Sequence, residues 1–129
     1  MFCLDTSIVV DIFRGDSALK KKIMQFQGQK FSIASITLCE LFKGAWKSND
    51  KEKAVQLITD FYRSVDLLDF DVASANLFGL NHNILEKKGS KIPEADLMIA
   101  SLAMANNQIL ITRDLKHFKK IPELKVEKW

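Results

Sequence analysis

Short apolar runs alternate with longer amphipathic segments along this chain, and the alternation begins at once. Phe2-Cys3-Leu4 is apolar, Asp5 is a carboxylate, Thr6-Ser7 are small hydroxyl residues, and Ile8-Val9-Val10 resumes the apolar run. The spacing predicts a buried strand over 2–5. It turns straight into a short helix over Ser7–Phe13, capped by Thr6 or Ser7, with Arg14-Gly15 as its stop. Asp16-Ser17 opens a second helix to about Gln27, its apolar residues Leu19, Ile23 and Phe26 at helical spacing and Lys20-Lys21-Lys22 partly on a solvated face. Phe31, Ile33 and Ile36 mark a second strand. Thr37-Leu38-Cys39-Glu40 then has the capping-box pattern and starts a helix through Leu41, Phe42, Ala45 and Trp46.

The second half continues in the same way. Asn49-Asp50 caps a helix that uses Val55, Leu57, Ile58, Phe61 and Tyr62. Val65 to Phe70 reads as a third strand, and Asp71 caps a long helix to about Lys88, closed by Gly89. After the loop at Ser90–Glu94, with Pro93 suited to a first helical turn, comes a helix that carries Asp96 and is apolar on most sides, ending at Asn106-Asn107. Gln108–Thr112 is a strong strand, Leu115–Phe118 a short helix, and Leu124–Val126 a last strand. Strands alternating with helices predict an α/β/α sandwich around a mostly parallel sheet of about five strands, with residues 1–129 as one domain.

Four carboxylates share one kind of position in that scheme. Asp5 ends the first strand, Glu40 lies just after the second, and Asp114 follows the fourth. Asp96 starts the helix that feeds the fourth strand. In a parallel sheet all strand C-termini face one edge, where open α/β sheets hold their ligands. Each acid also has a plain structural reading, as a helix cap or a first-turn complement to the helix dipole. Four caps have no reason to fall at one edge, however, and two unit charges ~4 Å apart repel by about 4 kcal/mol at an effective dielectric near 20. Such a cluster binds protons or a divalent cation, and oxygen donors without a pair of soft ligands suit Mg2+ or Mn2+. That chemistry points to phosphoryl transfer.

Composition narrows the context. The chain is 47% hydrophobic and 27% charged, with a net charge of +3 that neither names nor opposes a nucleic-acid partner. Cys3 and Cys39 lie in apolar segments and read as buried thiols of a reducing cytosol. No apolar run approaches the ~20 residues of a membrane span and no secretory signal is visible, so a cytoplasmic protein is expected. His82 and His117 read as surface or packing residues, and Trp46, Phe42 and Phe61 as core or dimer contacts.

The residues also resemble a known family, the PIN-domain ribonucleases, and within it the small VapC-type toxins of prokaryotic toxin–antitoxin pairs. The resemblance is carried by Leu4-Asp5-Thr6-Ser7 with Arg14-Gly15, by Ile36–Leu41 with Gly44-Ala45, by Asp96–Ala100 with Ala103, and by Ile111-Thr112-Arg113-Asp114 with Phe118. It implies a PIN-like fold and a Mg2+- or Mn2+-dependent endoribonuclease whose acidic quartet falls on Asp5, Glu40, Asp96 and Asp114. Asp5 and Asp96 would be the most direct metal ligands, Asp114 would complete the metal site, and Glu40 would act more through coordinated water. Thr6, Ser7 and Thr112 would support these carboxylates. The resemblance further implies a cognate antitoxin whose tail blocks the acidic pocket, and a homodimer. Ser7 departs from the pattern, since that position is commonly Asn in these toxins. Alternative readings are a PIN nuclease of RNA processing, a non-catalytic RNA-binding PIN module, or a phosphate-handling α/β domain such as a receiver or a haloacid-dehalogenase-type phosphatase. The last would place an acid where Ser7 stands.

Overall fold

A computed structural model describes residues 1–129. Its five strands are β1 (Phe2–Leu4), β2 (Phe31–Ala34), β3 (Asp66–Leu68), β4 (Ile109–Thr112) and β5 (Val126–Lys128). Seven helices accompany them: α1 (Thr6–Phe13), α2 (Ser17–Met24), α3 (Ser35–Trp46), α4 (Lys51–Tyr62), α5 (Val72–Lys87), α6 (Glu94–Ala105) and α7 (Leu115–Phe118). The strands form one sheet in the order β3-β2-β1-β4-β5, and every pairing is parallel. The first strand of the chain is therefore the middle of the sheet, with Leu4 opposite Ile33 on one side and Ile111 on the other.

Period-two alternation divides β1 and β4 between two cores. Cys3 and Leu110 point into a cluster with Leu85, Leu97, Ile99, Leu102 and Phe118, on the side of α5, α6 and α7. Phe2, Leu4 and Ile111 point into the other, with Ile8, Val9, Leu19, Leu41 and Ile58, on the side of α1 to α4. Helix α6 buries Leu97 and every residue from Ile99 to Ala103. Its small Ala100 and Ala103 are fully buried in the same cluster as the central strands. Each buried Leu or Ile in these layers contributes about 1.5–3 kcal/mol relative to exposure.

Several boundaries differ from those the pattern suggests. Strand β2 stops at Ala34, and Ile36 is helical, because the chain passes from β2 into α3 without an intervening loop. Ala34 is the N-cap of α3 and offers no side-chain bond, so Thr37 and Glu40 do not form a capping box. Asp5, rather than Thr6 or Ser7, caps α1. Pro93 is the N-cap of α6 rather than its first turn. Strand β5 begins at Val126, after Glu123 takes a left-handed turn conformation at φ 62°. Phe42 and Phe61 pack against the core, whereas Trp46 is 62% exposed, and Cys39 is exposed while Cys3 is buried. No helix is long and apolar enough to cross a membrane.

Candidate metal centre

Asp5 sits where β1 ends, between the exits of its two neighbouring strands. Its backbone N–H donates to Ile111 O (2.8 Å), which extends the ladder one residue past the strand. The residue is buried, at 6% exposure, and its carboxylate accepts three hydrogen bonds. Thr6 N donates to Oδ1 at 2.8 Å, and the hydroxyls of Ser7 and Thr112 each donate to Oδ2 at 2.8 Å. A carboxylate has about four lone-pair positions, so three donors fix its orientation and leave about one position open. Helix α1 follows Asp5 with no spacer, so the residue ends β1 and caps that helix at once.

Thr6 reaches the other way. Its Oγ1 donates to Glu40 Oε1 at 2.7 Å, with Thr37 Oγ1 3.1 Å away. Glu40 lies in the second turn of α3, beyond the position that a cap would occupy, and Thr6 ties that turn to the exit of β1. Thr112 carries the exit of β4 to the same point. Its hydroxyl donates to Asp5 and accepts from the backbone N–H of Asp114 at 3.1 Å. Asp114 is exposed at the rim, where its Oδ1 accepts from Lys116 N at 2.8 Å and caps α7.

Asp96 enters from the first turn of α6. Burial raises its pKa above the ordinary carboxylate value, and the negative charges of Asp5 and Asp114 raise it further, while a hydrogen bond and the charge of His117 oppose the shift. Asp5, Asp96 and Asp114 are therefore electrostatic neighbours. His117 Nδ1 lies 2.9 Å from Asp96 Oδ2. This contact escapes a reading of the sequence. His117 is a lone histidine in a one-turn helix, and its partner is 21 residues away; the one local signal is its spacing of three from the cap Asp114. Glu94 is exposed and takes no part in these contacts.

The side chains as they stand do not bring three Asp, Glu, His or Cys groups together at ligand spacing. The donor types nonetheless suit a hard divalent cation: they are carboxylate and hydroxyl oxygens, and burial, with the charges of Asp5 and Asp114 added, makes Asp96 harder to ionise without a counter-charge.

Comparison with known proteins places the family and the fold. Residues 2–124 match the PIN domain. Ribonuclease VapC2 of Rickettsia felis is 34% identical over 100% of this chain and 98% of its own length. The tRNA(fMet)-specific endonuclease VapC of Shigella flexneri is 31% identical over 99% of this chain and 97% of its own. Among solved structures, VapBC2 from Rickettsia felis bound to a promoter DNA fragment superimposes with a TM-score of 0.93 at 33% identity, covering 99% of this chain and 98% of that one. DNA-bound VapBC from Salmonella typhimurium gives 0.92 at 29% identity, covering 99% and 97%. The chain, with its acids at the exits of a five-stranded parallel sheet, belongs to the PIN domain family and to the VapC ribonucleases within it.

Proposed function

We propose that this chain is the endoribonuclease toxin of a toxin–antitoxin pair, cutting RNA phosphodiester bonds at the acidic crevice above β1 and β4. One observation carries the reading. Asp5 is held by three donors, and Asp96, whose proton affinity is raised first by burial, feels the negative charges of Asp5 and Asp114 as a further rise. A fold that holds like charges together in this way is stabilised by a cation between them. Divalent-metal dependence is the general property of the PIN-domain VapC nucleases. We assign Mg2+ or Mn2+ to Asp5, Asp96 and Asp114, with Glu40 acting through coordinated water. When bound, such an ion polarises a phosphoryl oxygen and lowers the pKa of a water in its shell.

The chain's own residues prepare that site. Thr6 N, Ser7 and Thr112 orient Asp5, the Thr6 hydroxyl holds Glu40, and His117 holds Asp96. Asp114 stays at the open rim, where a phosphate backbone has access. A cavity of about 480 Å3 beside Glu40 is lined by Val10, Phe13, Leu41, Leu57 and Ile58, with Leu57 48% exposed. That groove suits an apolar segment of the antitoxin, whose continuation would reach the acids. We further propose one PIN domain over residues 1–129, a homodimer, and a cytoplasmic site of action.

The test is cleavage of RNA by purified protein with Mg2+ or Mn2+ and with excess EDTA. Asp5→Asn and Asp96→Asn are expected to retain the circular dichroism of the parent and lose at least about 100-fold in rate, the scale of removing one preorganised charge-stabilising group. Cleavage that persists in EDTA, or in both variants, overturns the assignment.

A further inference from the structure

Arg113 is the cation nearest in sequence to the acidic rim, between Thr112 and Asp114, and a nuclease invites its reading as a phosphate anchor. Its guanidinium is already engaged. Nε donates to Asp11 Oδ2 at 2.7 Å, Nη2 to Asp16 Oδ2, and Nη1 to the carbonyl oxygen of Trp129 at 2.8 Å. These partners come from α1, from the cap of α2, and from the segment after β5. Asp16 uses its other oxygen to accept from Leu19 N at 2.9 Å, so it caps α2 and holds Arg113 at once. Two carboxylates neutralise the guanidinium, and its side chain is 30% exposed. A planar fork satisfied on three sides has little directed capacity left for a phosphate.

The backbone of Arg113 faces the site instead. Its N–H donates to Ser7 Oγ at 3.2 Å, and Ser7 Oγ in turn donates to Asp5 Oδ2 at 2.8 Å. Thr112, one residue before, donates to the same oxygen, and Asp114, one residue after, stands at the rim. The side chain thus ties the exit of β4 to α1 and α2, while the main chain sets two of the three donors on Asp5.

We infer that Arg113 is a positioning residue of the metal site, acting through Ser7, Thr112 and Asp114, and that it does not bind RNA. The inference rests on the reading of Asp5 as a metal ligand. Arg113→Lys keeps the charge but cannot span three partners, and Arg113→Gln removes both. Both variants are expected to weaken Mn2+ binding, titrated by electron paramagnetic resonance without RNA, by about 10-fold or more, and to lower kcat on a similar scale. The KM for RNA stays within about twofold of the parent, and its salt dependence is unchanged. A phosphate anchor gives the opposite pattern: Arg113→Lys retains activity, while Arg113→Gln raises KM and lowers the salt slope by about 1. That result, or Mn2+ affinity unchanged in both variants, overturns the inference. If Arg113→Gln does not keep the parent's circular dichroism, Arg113→Lys and Asp11→Asn carry the same Mn2+ titration with the same criteria. A parent protein that binds Mn2+ but cuts no RNA would remove the proposed function while the titrations still decide the role of Arg113.

Discussion

Cys3 and Cys39 differ in everything but their side-chain chemistry. Cys3 lies in the central strand with no exposed surface, and desolvation pushes its thiol up to about 12 from an ordinary 9.0, with the charge of Asp5 adding to the rise. The unfolded chain releases that proton near 9.0 and the folded chain keeps it, so this thiol's contribution to stability is complete below about 9. It falls by about 1.4 kcal/mol per pH unit as the pH climbs toward 12. Urea unfolding at about pH 8 and about pH 10 is expected to give a steeper loss for the parent than for Cys3→Ala. At neutral pH a thiol reagent such as DTNB is expected to modify Cys39 in the folded protein and Cys3 only after denaturation. The places of Asp5, Glu40 and Asp114 after β1, β2 and β4, and of Asp96 in the first turn of α6, were legible from the pattern. His117 and Arg113 were not, because their meaning lies in partners 21, 97 and 102 residues away, and no local spacing announces such pairs.

Helix α6 illustrates what patterning reveals about an element and what it omits. Its nearly uniform apolar character correctly marks it as buried, and Ile99 and Leu102 are fully enclosed. Leu102→Ala is expected to cost about 2–5 kcal/mol, and Ala103→Leu about 1–3 kcal/mol by overfilling. Both should appear as shifts in the urea midpoint at constant m-value. The start of α3 shows the omission. Thr37 and Glu40 have the spacing of a capping box, yet the strand before them stops at Ala34 and the helix already starts at Ser35. Thr37 is carried inside, and Glu40 moves on to meet Thr6. The tertiary contact outweighs the local signature because a buried hydroxyl and a half-buried carboxylate must both find partners. The edge strands β3 and β5 were the least legible, since two of the three residues in each are exposed.

Taken whole, the molecule has two apolar layers that share one sheet, and β1 contributes to both. Neither layer keeps its other wall if β1 leaves, so unfolding is expected as one cooperative transition. Far-ultraviolet circular dichroism and tryptophan fluorescence should give coincident curves, the latter dominated by Trp129 in its cluster with Phe2, Phe26 and Phe31. Separate transitions would mean that the two layers fold independently. The parallel architecture was legible because strands and helices alternate throughout. The order of strands was not, because nothing local states that the first strand becomes the central one.

That central place for β1 has a consequence for synthesis. The ribosome makes the middle of the sheet first and then waits for its second neighbour, β4, which supplies Thr112 to Asp5 across 107 residues of sequence. At about 5–20 residues per second that interval is of the order of 5–20 s. Throughout it the nascent chain carries Asp5 with its Thr6 and Ser7 donors, but without the Thr112 hydroxyl or the Asp114 carboxylate. If Asp5 holds the catalytic ion, a chain that ends before β4 lacks Thr112 and Asp114 and is expected to cut no RNA in the cleavage assay that the full chain passes.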